Sequence, residues 1–288
     1  MPLPDRRRAP HRRHEDGMKA APRVLALCAD DFGQSRGISA GIDGLVRAGR
    51  LGAVSCLSSS PRWREAAPLA QAWPAHVDVG LHFNLSQGAP MSGALRARWP
   101  RFPSLPRLIV QAHLRLLPRA ALARELRAQI DAFVAAIGRP PAFIDGHQHV
   151  HHLPAVRDLV LDAVSRIEPP PAVRNTGRVL GPGFALKRWL IAHTGGAALR
   201  RELRRRHLRH SPALVGAYDF VDPAYRALMQ GWLRALPAEG ALLFCHPGQP
   251  DPQPDAIAAA RQREYAYLAS ADFARDLQDA GVTPGRVW

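Results

Sequence analysis

Residues 23 to 33 read RVLALCADDFG, a short apolar run of strand character that ends in two adjacent aspartates. Similar runs recur along the chain as AVSCLS (53 to 58), VDVGLHF (77 to 83), AFIDGH (142 to 147), AVRN (172 to 175) and ALLFCH (241 to 246). Between them lie longer stretches with helical periodicity, among them ISAGIDGLVRAGR, RAALARELRAQIDAFVAAIG and AVRDLVLDAVSRI. Buried short strands alternating with helices predict parallel βαβ units, hence an α/β sheet or barrel. The length of 288 residues suits one large domain of that kind. The expected organisation is a basic tail over residues 1 to 21 and a single domain over 22 to 288. Long insertions are expected near 84 to 120 and 176 to 220, where the Pro- and Arg-rich segments exceed ordinary connection lengths. The residues from Met18 onward also read as an ordinary start, so the first 17 could be an over-extended beginning.

Composition narrows the function classes. No apolar run of 18 residues is free of charge, which argues against a membrane-spanning helix. The three cysteines, Cys28, Cys56 and Cys245, are widely spaced in strand-like runs. They read as reduced core thiols of a cytoplasmic protein, with neither a CxxC motif nor a disulfide framework. The formal net charge of +15 is carried in part by a basic stretch from Lys187 to His210. Such a stretch suits an anionic membrane surface or a phosphorylated ligand, or it is simply a solvated arginine-rich face. No zinc-finger spacing or RNP-like motif accompanies it, so nucleic acid is not expected.

The polar residues fall in one kind of place. Asp30 and Asp31 close the first strand, His82 the third, Asp145 and His147 the fourth, and His246 a late one. In α/β barrels and open parallel sheets, the C-terminal strand ends are where active sites assemble. One carboxylate with two imidazoles makes a three-ligand site for a divalent cation, with positions left for water and substrate. Two neighbouring aspartates fit that chemistry if one binds the cation while the other takes a proton from water. The stretch IDGHQHVHHLP (144 to 154) adds His149, His151 and His152. His147 and His151 share a face if the segment is helical, whereas His147, His149 and His151 alternate if it is extended. Pro154 prevents either form from running cleanly through. The spacing therefore leaves open which imidazole faces the cation, and His152 reads best as a solvated loop residue.

With ADDFG, GLHFNL, FIDGHQHVH and CHPG in this order, the chain resembles the YdjC-like (ChbG/HpnK) carbohydrate deacetylases over roughly residues 22 to 270. The resemblance implies a barrel-like (β/α) fold, an incomplete or distorted TIM-type barrel related to polysaccharide deacetylases. It implies a bound Mg or Zn ion and hydrolysis of an N-acetyl group from an amino sugar. Carried over by position, Asp31, His82 and His147 become the metal ligands and Asp30 the base. His246 becomes the group that protonates the leaving amine, a role that asks for an imidazolium near neutral pH. Asp145, His149 and His151 become groups that support the ligands or touch substrate. Arg174 is expected to contact a sugar or phosphate, or else to form a surface ion pair.

The basic stretch is not what a soluble chitin-fragment enzyme calls for. It suggests a lipid-linked or phosphorylated N-acetyl sugar and a protein peripheral to the inner membrane face. A homodimer suits the architecture, although no residue argues for one. Two rivals stand beside the deacetylase. A metal-dependent phosphoesterase or amidohydrolase on a similar barrel would release a different product. A nucleic-acid or membrane-binding module would be indifferent to chelators and would leave the shared location of the polar residues unexplained.

Overall fold

Alternation along parallel strands decides which side chains reach the interior, and the computed structural model describes it for residues 23–288. The expected tail over residues 1 to 21 and the question of the start lie outside the described residues. In chain order the elements are β1 (Arg23–Phe32), α1 (Arg36–Arg47), β2 (Ala53–Cys56), α2 (Trp63–Gln71) and β3 (Asp78–Phe83). They continue with α3 (Gly93–Arg96), α4 (Leu105–His113), α5 (Arg119–Ile137) and β4 (Phe143–Gly146). A tight turn of 3-10 helix, His147–His152, leads to α6 (Val156–Val164) and β5 (Ala172–Val173). Then come α7 (Ala185–Ile191), α8 (Ala197–Arg205), β6 (Leu214–Val215), α9 (Tyr225–Arg234) and β7 (Ala241–Cys245). The chain finishes with α10 (Ala258–Ala269), α11 (Ala271–Asp279) and β8 (Val282–Pro284).

The strands lie in the order β5-β4-β3-β2-β1-β7-β6, with β8 added beside β1, and every pairing is parallel. The sheet curls so that its two edges approach. Val173 of β5 donates its N–H to the carbonyl of Arg209 at 2.9 Å, and single bridges join Val173 to His210 and Val179 to Leu214. This is a distorted barrel with a thin seam between β5 and β6. The 176 to 220 segment is therefore more than an insertion, since it supplies β6 as well as α7 and α8.

Odd and even strand positions separate into two cores. Leu25, Leu27, Val54, Val79, Leu81 and Ile144 pack outward against the helices. Cys28, Ala53, Phe143, Ala172, Leu214 and Leu242 form a smaller cluster inside the curl. Gly80 belongs to that inner layer, because a Cβ there would lie 2.4 Å from the Phe143 ring. Two residues further along each strand, the same inward alternation carries Asp30, Ser55, His82, Asp145 and Arg174. The apolar floor is thus the first inner layer, and the polar chemistry is the second.

Candidate metal centre and active site

In a regular strand, Asp30 and Asp31 would point to opposite faces of the sheet. They do not, because β1 bulges. Ala29 pairs with Val54 and Phe32 with Cys56, so three steps on β1 oppose two on β2. Asp31 absorbs the extra residue in a left-handed conformation at φ 69°. Bulges of this kind re-aim side chains, and Asp is one of the few residues that tolerate that conformation. Both carboxylates, fully buried, consequently meet the interior with different partners.

Asp31 Oδ1 lies 3.3 Å from His82 Nε2 and 2.9 Å from His147 Nδ1. Its Oδ2 accepts a hydrogen bond from Arg261 Nη2 at 2.8 Å. The three candidate ligand atoms lie within 4.8 Å of one another. Behind His82, Nδ1 faces Asp145 Oδ1 at 2.7 Å, and Ser55 Oγ donates to the same oxygen at 2.5 Å. A histidine backed by a carboxylate presents its other nitrogen in a fixed tautomer and orientation, as metal-ligating imidazoles require. The donor set therefore fits a divalent cation. A second group of possible ligands, Cys28, Asp30 and Asp145, does not, because a guanidinium fills it.

That guanidinium belongs to Arg174, at 0% exposure. It donates to both oxygens of Asp30 at 2.6 and 2.7 Å, pairs with Asp145 Oδ2, and reaches Cys28 Sγ. The expectation of a surface ion pair or a sugar contact is thereby corrected. β5 points Arg174 inward, where it balances two buried carboxylates.

The histidine-rich turn divides its side chains. Gln148 and His149 both adopt left-handed backbone at φ 52° and 62°, so neither a helical nor an extended spacing rule applies. His147 turns to Asp31, whereas His149 packs edge-on against Phe244 with ring centroids 5.3 Å apart. His151 Nε2 bonds the Arg174 carbonyl at 3.0 Å. His152 is buried between Thr176 Oγ1 and Thr194 Oγ1 at 2.9 and 3.0 Å, which overturns its reading as a solvated residue. His246 leaves β7 and meets the Phe220 ring edge-on at 5.0 Å. Lys187 of α7 also packs on Phe220, its Nζ 4.2 Å from the ring centre. The start of the basic stretch therefore borders the site.

Electrostatics separates the groups by role. Burial opposes a charge on His82, yet Asp145 and Asp30, together with the hydrogen bonds that its ring donates to Asp145 and Asp31, raise it to about 10. Burial would likewise raise Asp145, but Arg174 and His82 hold it at about 2. Asp31 is kept well below the usual carboxylate range against its burial by Arg261 and His147. Burial wins at Asp30, which is raised despite Arg174. It wins again at His151, lowered to about 4, and at His149 and His246, both pushed well below an ordinary imidazole. Burial thus disfavours at His246 the imidazolium form that its expected role calls for.

Three residues escaped the sequence reading. Arg261 and Glu264 sit on α10, whose sequence AAARQREYAYLA carries no motif, and Ser55 is one serine within an apolar strand. Glu264 is fully buried and accepts the His246 backbone N–H and the Tyr218 hydroxyl, each at 2.5 Å. Burial raises it to about 7.

The sequence profile of the YdjC-like proteins matches residues 24–279. The chain belongs to the YdjC-like family. A carbohydrate deacetylase from Danio rerio is 33% identical over 178 residues, covering 60% of this chain and 55% of its own length. A chitooligosaccharide deacetylase from Enterobacter sp. (strain 638) is 36% identical over 145 residues, covering 50% and 56%. The match thus spans about half the length of these curated relatives. A crystal structure from Enterococcus faecalis, provisionally named as a cellobiose-phosphate cleavage protein, superposes with a TM-score of 0.72. At 19% identity it covers 93% of this chain and 98% of its own, so this YdjC-like chain shares its fold.

Proposed function

We propose that this YdjC-like protein is a metal-dependent hydrolase that removes the N-acetyl group from an amino sugar. The observation that carries the reading is the β1 bulge, which places two adjacent carboxylates in one buried pocket with unlike partners. Asp31 faces His82 and His147, and Asp30 faces Arg174. The names of the relatives support the same class of reaction.

Asp31, His82 and His147 would hold the cation, Mg or Zn. When bound, such an ion supplies the Lewis acidity that polarises an amide carbonyl and acidifies water. Asp145 and Ser55 keep the His82 ring turned toward Asp31, and Arg261 does the same for Asp31 itself. Asp30, fixed by both guanidinium nitrogens of Arg174, takes the proton from the attacking water. Its raised proton affinity suits a base that must later give the proton up. His246 starts neutral, so the proton reaching the leaving amine originates at Asp30, and His246 and Phe220 shape the wall where the amine departs. The products are acetate and the free amino sugar.

Acetate release from N-acetylglucosamine and its oligomers, with Mg or Zn added, tests this directly. Chelator should abolish it, and Asp30→Asn should lower turnover by about a hundredfold or more while metal stays bound. Phosphate from phosphorylated sugars in place of acetate would transfer the site to the phosphoesterase reading.

Within this reading we also propose that the substrate can be lipid-linked, met at an anionic membrane surface. Leu186, Trp189 and Leu190 are exposed along α7 beside the site, and Arg201, Arg204 and Arg205 are exposed on α8. Arg205 pairs with Glu202, and Arg206 with Asp162 and Glu202, which leaves Arg201 and Arg204 the more available. Cosedimentation with phosphatidylglycerol vesicles should fall when Trp189→Ser is combined with Arg204→Gln and Arg205→Gln. Equal sedimentation would remove the membrane surface. Among the described residues, no helix is long and apolar enough to cross a membrane.

A further inference from the structure

His82 and Asp31 are each held from behind, the first by Asp145 and Ser55 and the second by Arg261. His147 is not. Among the described residues its ring makes a single hydrogen bond, between Nδ1 and Asp31 Oδ1 at 2.9 Å. Its aim therefore comes from the backbone of the turn His147–His152. That backbone is itself strained, since Gln148 and His149, directly after the ligand, are both left-handed. Residues other than glycine keep such conformations only where their surroundings impose them.

The turn is gripped at its exit. His152 lies between two threonine hydroxyls, with Nδ1 2.9 Å from Thr176 Oγ1 and Nε2 3.0 Å from Thr194 Oγ1. The Thr194 hydroxyl gives its one hydrogen to the Leu190 carbonyl at 2.7 Å, so toward His152 it can only accept. Nε2 then carries the ring hydrogen, and Nδ1 accepts the Thr176 hydroxyl. Both nitrogens are thereby used, in one tautomer, and none is left for a cation. Burial pushes this imidazole well below its usual range, in keeping with the uncharged arrangement.

Thr194 reaches His152 from the corner between α7 and α8. There Ala192–Gly196 forms a wide turn of π type, a rare form that recurs at functional sites. Its glycines permit the close approach. A Cβ on Gly195 would lie 2.1 Å from the His152 carbonyl oxygen, and one on Gly196 2.3 Å from that of Thr176. Near the start of α7, Lys187 bonds the Tyr218 carbonyl and covers the Phe220 ring. With both ends of the helix tied down, Thr194 is a fixed point against which the histidine turn can rest.

We propose that His152, clamped between Thr176 and Thr194, is a positioning residue that holds the histidine turn so that His147 faces Asp31 and the cation. The inference rests on the metal-dependent reading and extends it to a corner of the chain that supplies no ligand. The test is calorimetric titration of cobalt(II) into chelator-stripped protein, well below its thermal midpoint, for the wild type, Thr194→Val and Thr194→Ser. Valine keeps the shape of threonine and loses the acceptor, whereas serine keeps the acceptor. Affinity should fall about tenfold in Thr194→Val, the lower end of what losing a supporting contact costs a metal site, and stay within about twofold of wild type in Thr194→Ser. Unchanged affinity in Thr194→Val, even with a lowered midpoint, would reduce His152 to packing and overturn the proposal. Serine as weak as valine would overturn it too. Should Thr194→Val fail to fold, Thr194→Ala is read by the same criteria. Failure of the metal reading shows separately, as no cobalt binding by the wild type, and takes the clamp's role with it.

Discussion

Arg174 and Glu264 show how individual residues set the terms of this site. Arg174 sits between Asp30 and Asp145 with no exposure, so neither carboxylate faces an apolar interior uncompensated. Without it two buried charges would lose their partner, a loss that in buried ion pairs costs several kcal/mol. An arginine at the end of AVRN is indistinguishable in sequence from a surface arginine, because only the alternation across the whole curl reveals its inward aim. Asp30, Asp31, His82 and His147 were legible for the opposite reason, since their types and strand-end positions already imply chemistry. Glu264 offers a pH test. Its raised value means that the native state favours the protonated carboxyl. Its contribution is therefore whole below about pH 4.5 and is lost as pH rises through about 7, amounting to roughly 3 kcal/mol at full extent. In Glu264→Gln the amide stays neutral, with its oxygen facing the His246 N–H and its nitrogen facing the Tyr218 hydroxyl. Urea unfolding at pH 5.5, 7 and 8.5 should show the variant gaining on the wild type as pH rises. Parallel curves would mean that Glu264 does not titrate in this window.

At the level of elements, strand placement was the most readable feature and local backbone departures the least. The runs at 23, 53, 77, 142, 172 and 241 all became strands, because buried parallel strands are continuous apolar runs. β6 was missed because it is two residues long, just past the arginine-rich stretch, and its identity comes from pairing with β7. The β1 bulge and the left-handed Gln148 and His149 were equally invisible, though they decide which acids and imidazoles converge. β3 carries a test of how floor and site are coupled. Gly80 lets the Phe143 ring lie against the strand two residues before His82. Gly80→Ala would force that ring aside, an overpacking that costs about 1–3 kcal/mol. Because His82 follows on the same inward face, metal affinity measured by titration should fall with the thermal midpoint. A lower midpoint with unchanged metal affinity would show that the floor and the ligands yield independently.

Across the whole molecule, the barrel class and the edge that bears the site followed from the sequence, while the closure of the barrel did not. Closure depends on contacts between segments some 35 residues apart, Val173 with Arg209 and His210, and no periodicity announces them. The lopsided charge was visible too, but not its division between paired arginines such as Arg206 and free ones on α8. The seam has a consequence for motion. Elsewhere β1 to β4 and β7 are joined by continuous ladders, whereas β5 and β6 meet through isolated bridges, so breathing of the barrel is cheapest there. Asp31 and His82 lie on strands away from that line, while Lys187, Phe220 and His246 belong to the side that borders it. The molecule is in this sense half frame and half door: the seam is the part of the wall that yields at least cost, while Asp31 and His82 stand on strands held by continuous ladders.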